Sequence, residues 1–255
     1  MDISRDTLFA GKLTCLQHTT GYRFSVDAVL VAHFQPPGKG ATILDLGSGC
    51  GIISLIAMYR WGERIKELTA LEVQPQLADL SRRNFTENGF SGKCRAVQGD
   101  LGSILQYFPP ESFSQVICNP PYYREGSGRT SSDPESFYAR HQILAGLPEI
   151  IGAAASVVKT GGTVAFVYPA EGLAELIAEF SRARLKLKRL QCVYSYPIPG
   201  APARLVLVTA MKNAGSGVQV LPPFYIYTRK NGDYSPEMEK LYSPHQDNNT
   251  DLPDH

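Results

Sequence analysis

Apolar residues in this chain come in short runs that stop at glycine or proline, separated by stretches of helical spacing. ATILDLG, Ala41 to Gly47, is an apolar strand running into glycines, and IISLIAMYRW continues it as a buried helix ending at Trp61. ELTALEV, Glu67 to Val73, is a second strand. Pro75 opens the next helix and Gly89 closes it as a C-cap. KCRAVQGD, Lys93 to Asp100, and FSQVICN, Phe113 to Asn119, are strands three and four. A largely helical stretch from Glu135 to Val158, interrupted near Gly146 and Pro148, precedes strand five, GTVAFVYP. AEGLAELIAEFSRAR is a helix, and LKRLQCVYSYP and ARLVLVTAMKN are two neighbouring strands. Before all of these, FSVDAVLVAHF predicts a short helix capped by Ser25, and PPGKG a turn.

Strands alternating with helices predict an α/β fold, a mostly parallel sheet with helices on both faces. The last two strands leave only Ser195 to Ala203 between them, too little for a helix, so they form an antiparallel hairpin. The expected organisation is a lid with a short helix over 1–35, the main domain over 36–212 and a C-terminal extension over 213–243. The polar tail 244–255 is expected to be disordered.

The apolar fraction of 43% suits a sizeable core, and 25 Lys plus Arg against 24 Asp plus Glu make no global case for a polyanion partner. Five cysteines and five histidines are scattered, with no metal-ligand spacing, so no metal is expected. No apolar run reaches membrane-spanning length and no leading segment reads as an export signal, which predicts a cytoplasmic protein with reduced thiols, off the membrane.

The chemistry gathers where strands meet loops. Gly47, Gly49 and Gly51 let the backbone turn tightly and approach a ligand at the carboxyl end of strand one. The spacing lacks one residue for the dinucleotide fingerprint, which argues against a nicotinamide oxidoreductase. Asp45, Glu72 and Asp100 end strands one, two and three in register. Glu72 can accept both hydroxyls of a ribose. Asp100 can accept from an adenine amino group while the amide of Leu101 donates to a ring nitrogen.

DLGSGCG, ALEV, GD at Asp100 and NPPY from Asn119 to Tyr122 resemble, in that order, the four motifs of the class I methyltransferases that bind S-adenosylmethionine. The resemblance covers about Gly21 to Met211. It implies a Rossmann-like, seven-stranded sheet with a late antiparallel strand, S-adenosylmethionine as cofactor and S-adenosylhomocysteine as product. It implies a cofactor site of Phe24, Asp45, Gly47, Gly49, Gly51, Glu72, Asp100, Leu101 and Asn119. Tyr22 is assigned to packing of the lid.

An exocyclic amino nitrogen is a poor nucleophile because its lone pair is delocalised, so it needs geometry more than a strong base. The carboxamide oxygen of Asn119 and the carbonyl of Pro120 can each accept one N–H, turning the lone pair toward the methyl group. Pro121 restrains Pro120 to extended angles. Tyr122 can stack on a flat substrate, roughly 1–3 kcal/mol per base. Asn119, Pro120 and Tyr122 are therefore the catalytic candidates, with direct in-line transfer of the methyl group. A protein that keeps the fold without turnover is the reading from another class, but none of these residues is altered.

The flanking text resembles the bacterial tRNA adenine-N6 methyltransferases that modify adenosine 37 of valine tRNA. The matching residues are Gly21, Phe24, Ser25, Asp27, Ala28, Val29 and Leu30, then Ala139, Arg140 and His141, and the PPFYIYTRKNGDYSPEMEKLY stretch. Gln142 departs from that pattern, which has glutamate there. This resemblance implies a tRNA substrate touched by Pro121, Tyr122, Tyr123, Arg124 and Arg140, with no obligate protein partner and a monomer or weak homodimer. N-methylation of an rRNA or DNA base, or of a protein glutamine, is the alternative. The glutamine enzymes usually carry a large helical domain before the glycine motif, and only 44 residues precede Asp45. Strand alternation puts Arg184, Lys186 and Lys188 on one face. Lys186 and Lys188 are assigned to phosphate contacts, with a solvated edge strand as the competing reading.

Overall fold

The structure is a computed structural model that describes residues 2–20, 25–121 and 146–244. The assignments to Tyr22, Phe24, Tyr122, Tyr123, Arg124, Arg140 and most of the 244–255 tail lie outside these residues.

The chain opens with β1 (Ile3–Leu8) and β2 (Leu13–His18), an antiparallel hairpin apart from the main sheet. Then come α1 (Val26–Phe34), β3 (Ala41–Leu46), α2 (Ile52–Trp61), β4 (Ile65–Glu72), α3 (Pro75–Glu87), β5 (Cys94–Gln98), a 3-10 helix over Leu101–Gln106, and β6 (Phe113–Cys118). After the undescribed segment follow α4 (Leu147–Val157), β7 (Val158–Pro169), α5 (Leu173–Arg182), β8 (Leu185–Tyr194), β9 (Leu205–Lys212), the two-residue strands β10 (Gln219–Val220) and β11 (Phe224–Tyr225), and α6 (Pro236–Tyr242).

The main sheet runs in the order β10-β8-β9-β7-β6-β3-β4-β5, with β11 also on β8. From β5 to β7 all neighbours are parallel, and β9 is antiparallel to both β7 and β8. The seven long strands and the late hairpin are those expected, and β10 and β11 extend them by pairing parallel to β8. The central strands are buried on both faces, which is why they read as unbroken apolar runs. One face packs α1, α2, α3, the hairpin and α6 through residues such as Val29, Ile56, Leu80, Cys15 and Met238. The other packs the 3-10 helix, α4 and α5 through Ile104, Ile151 and Phe180.

Three local readings need correction. The first twenty residues contain a hairpin that their periodicity does not announce. Ser25 stands at the N-cap of α1 with extended backbone, but its side chain makes no capping bond. Arg184 precedes β8 in left-handed backbone (φ 58), and a bulge lies between Leu187 and Arg189, so Arg184, Lys186 and Lys188 do not share a regular strand face.

Candidate active site

A cleft of about 460 Å³ opens at the carboxyl ends of β3, β4, β5 and β6. Its floor is the turn from β3 into α2. Gly47, Gly49 and Gly51 all have positive φ (72°, 56° and 83°), which side chains of L-residues resist. Gly47 N–H and Ser48 N–H both donate to the carbonyl of Leu71 at 2.9 and 3.0 Å, tying the loop to β4. A Cβ placed on Gly47 or Gly49 would meet nothing within 4 Å, so the loop presents bare backbone to open space. A Cβ on Gly51 would press on Ser81 Oγ at 3.0 Å and Phe85 at 3.3 Å, so Gly51 faces α3 and not the cleft.

Glu72 ends β4 and is 5% exposed. Its Oε2 accepts from Gly49 N–H at 2.8 Å and its Oε1 from Gln74 N–H at 3.0 Å. The carboxylate is thus locked to the glycine loop, with oxygen lone pairs left for a ligand. Burial pushes its acidity down, raising the pKa, while the backbone donors oppose that shift. Asp100 caps the 3-10 helix, with Oδ1 accepting from Gly102 N–H at 2.9 Å, and lines the cleft together with Leu101.

Asp45 takes a different place from the one expected. It is 1% exposed, does not line the cleft, and accepts from Ser54 N–H at 3.1 Å and Ser54 Oγ–H at 2.7 Å. The reason lies in α2. Its N-cap is glycine, which has no side-chain acceptor, so the strand-end carboxylate serves an unpaired first-turn amide instead. Burial lifts the Asp45 carboxyl to about 7.

Asn119 and Pro120 follow β6 directly and line the cleft with Pro121. Cys118, the last residue of β6, is buried, and burial holds its thiol well above the usual range, which favours the neutral thiol over a nucleophilic thiolate. Lys186 and Lys188 lie elsewhere. Lys186 pairs with Met211, which pairs with Thr163, level with Gln115 near the amino end of β6 and so at the end of the sheet opposite the cleft. Lys188 donates weakly to the carbonyls of Gly215 and Ser216.

Periodicity gave no notice of four further cleft residues, Ser48, Asp27, Gln74 and Glu149. Ser48 Oγ is buried without a partner. A second cavity, of about 1020 Å³, adjoins the first at Ser25 and Asp27 and is lined by Tyr168, Arg204 and Tyr227. Only the antiparallel placement of β9 beside β7 brings Arg204 there, since Ala170 N–H donates to the Arg204 carbonyl at 3.0 Å.

S-adenosylmethionine fits this arrangement. The open glycine backbone would admit its amino acid part, the free lone pairs of Glu72 would accept from a ribose, and Asp100 would lie beside an adenine held between the apolar walls of Leu71, Val73 and Ile150. The orphaned Ser48 hydroxyl would gain a partner in such a ligand. No group of His, Cys, Asp or Glu that could hold a metal occurs among the described residues, and no described helix is long and apolar enough to cross a membrane.

The family described as Methyltransferase small domain matches residues 25–177. The tRNA1(Val) (adenine(37)-N6)-methyltransferase of Shewanella sp. (strain MR-4) is 30% identical over 190 residues, 74% of this chain and 78% of that protein. The protein of the same description in Shewanella loihica is 28% identical over 87% of this chain and 90% of its own. Among solved structures, a predicted O-methyltransferase, protein Atu636 from Agrobacterium tumefaciens, superposes with a TM-score of 0.67 at 23% identity, over 85% of this chain and 95% of its own, a likeness of fold. Taken with the cleft, these matches place the chain in the methyltransferase small-domain family, as a class I S-adenosylmethionine-dependent methyltransferase.

Proposed function

We propose that the enzyme methylates the exocyclic N6 amino group of an adenine in tRNA, and specifically adenosine 37 of valine tRNA. The observation that carries this reading is the position of Asn119. It leaves the end of β6 into the same cleft that holds the glycine loop and Glu72, followed at once by two prolines. An amide beside a donor pocket, on a backbone that cannot rotate freely, is what an amino nitrogen needs and what an oxygen or carbon acceptor does not. The bound donor supplies a sulfonium methyl group, already activated by its own bonding. Asn119 Oδ1 accepts one N–H of the substrate and the Pro120 carbonyl the other. The lone pair then points into the cleft, and direct in-line displacement follows with the amino proton leaving to water. Tyr122 stacks on the base, and the cavity at Tyr168, Arg204 and Tyr227 receives the neighbouring nucleotides, with the target adenine splayed out of its loop.

The tRNA target draws on the names of the relatives, which span most of this chain. The reading puts the protein in the cytoplasm with its RNA. The test is incubation of the protein with labelled methyl donor and unmodified valine tRNA, followed by digestion to nucleosides. N6-methyladenosine is expected among the nucleosides, with the label mapping to position 37 in a parallel digest to oligonucleotides. Label in another nucleoside, in DNA or in a protein glutamine would move the assignment to another nitrogen.

A further inference from the structure

We infer that Asn84, on the buried face of α3, is a positioning residue for the cofactor loop, and that it makes the N-terminal hairpin part of the cofactor site. Asn84 is fully buried. One side-chain N–H donates to the Cys50 carbonyl at 2.8 Å, inside the glycine loop. The other donates to the Leu16 carbonyl of β2 at 2.9 Å, and Oδ1 accepts from Leu16 N–H at 2.7 Å. Both donors of the amide are used, on two segments 34 residues apart, and neither partner has water to turn to. No aspartate, serine or alanine reproduces that set. The same helix face supports the loop again through Ser81, whose Oγ–H donates to the Gly49 carbonyl at 2.9 Å.

The hairpin touches the loop directly as well, because Cys15 Sγ lies 3.8 Å from Cys50 Sγ, and Cys50 lines the cleft. One turn on, Asn88 grips β2 in the same way without reaching the loop. Its Oδ1 accepts from Thr14 N–H at 2.9 Å and its Nδ2–H donates to the Thr14 carbonyl at 2.8 Å. Asn84 and Asn88 thus stand in for a neighbouring strand along the free edge of β2. Of these two asparagines, Asn84 is the one that hydrogen-bonds both that edge and the backbone of the glycine loop. Freed from Asn84, the Cys50 carbonyl can turn away, and the left-handed backbone on either side loses the support that keeps it open.

The pair gives a controlled comparison. Asn84→Ser and Asn88→Ser each loosen the hairpin, but only the first releases the loop. Titration calorimetry with S-adenosylhomocysteine is expected to show affinity falling about tenfold, about 1.4 kcal/mol, in Asn84→Ser, and less than twofold in Asn88→Ser. In Asn84→Ser the KM for the donor rises while kcat at saturating donor stays near that of the unaltered protein. Equal losses in the two variants, or no loss in either, would overturn the assignment. A second measurement needs no substitution. Coupling between two sites is reciprocal, so S-adenosylhomocysteine must slow hydrogen exchange at the Leu16 amide, held by Asn84, more than at the Thr14 amide, held by Asn88. Equal or absent protection at the two amides contradicts the link even if Asn84→Ser does not fold.

Discussion

Glu72 is the residue on which donor binding should depend most, and replacing it with alanine tests the geometry of the cleft. The substitution removes two kinds of bond. Within the protein, Gly49 N–H and Gln74 N–H lose a charged acceptor at 2.8 and 3.0 Å. Toward the donor, the proposed placement of the ribose has two hydroxyls lose theirs. Hydrogen bonds to a charged group contribute roughly 1.5–3 kcal/mol each. The ribose pair alone therefore accounts for about 3–6 kcal/mol, a weakening of roughly a hundredfold to ten-thousandfold. The intraprotein pair adds to this through a less ordered loop. Removing a buried carboxylate also relieves its desolvation, so global stability should fall little. Calorimetry with S-adenosylhomocysteine reads the affinity, and thermal unfolding without ligand confirms that the fold survives. Glu72→Gln, which keeps one acceptor oxygen, should fall between the two. If Glu72→Ala bound the product within threefold of the unaltered protein, the ribose would lie elsewhere and the assignment of the cleft would be wrong.

Asn119→Ala should leave product affinity within about threefold yet slow methyl transfer by roughly a hundredfold or more, and an unchanged single-turnover rate would remove Asn119 from the mechanism. Asp45 gives a pH signature. Its folded carboxyl, at about 7, holds a proton that the unfolded chain has lost above about 4, so its contribution to stability declines as pH rises through that window. Denaturant titrations should show the stability of Asp45→Asn relative to the unaltered protein climbing from pH 4 to pH 7, and a flat difference would refute the shift. Arg60 donates to the carbonyls of Leu241 and Ser243 at 3.0 and 2.6 Å and to His33 Nε2 at 3.0 Å, and covers the Phe9 ring at 4.4 Å. Arg60→Ala should lower stability by about 2–3 kcal/mol and expose α6 to trypsin, with product affinity unchanged. Protection of α6 equal to that of the unaltered protein would show that Arg60 is not its anchor.

The α/β alternation was legible because the central strands are buried on both faces and run into turns that carry glycine or proline. Such a strand reads as an apolar run whatever its neighbours are. Glu72 and Asn119 stood out for a related reason: in a parallel sheet, residues at the carboxyl ends of the strands lie at the ligand end. The hairpin of residues 3–18 was not legible, since Leu13 and Cys15 are buried by the packing of β2 on α2 and α3, and Asn84 and Asn88 take the place of a neighbouring strand. Alternation grouped Arg184, Lys186 and Lys188 on one face because it assumes an unbroken strand, and it says nothing of which end of the sheet they occupy.

From the sequence alone came the order of the seven long strands and the helices between them, the glycine turn and the acidic residues at the strand ends, since these rest on local backbone freedom and on a period of burial that neighbouring residues share. The tertiary structure decided what those groups face. It turned Asp45 inward to serve a helix start that has no side-chain cap, fixed Glu72 between two backbone amides, and brought Leu16 and Cys50 to opposite sides of one buried amide. Hydrogen bonds between segments tens of residues apart depend on how the layers stack, and no window of sequence contains both partners.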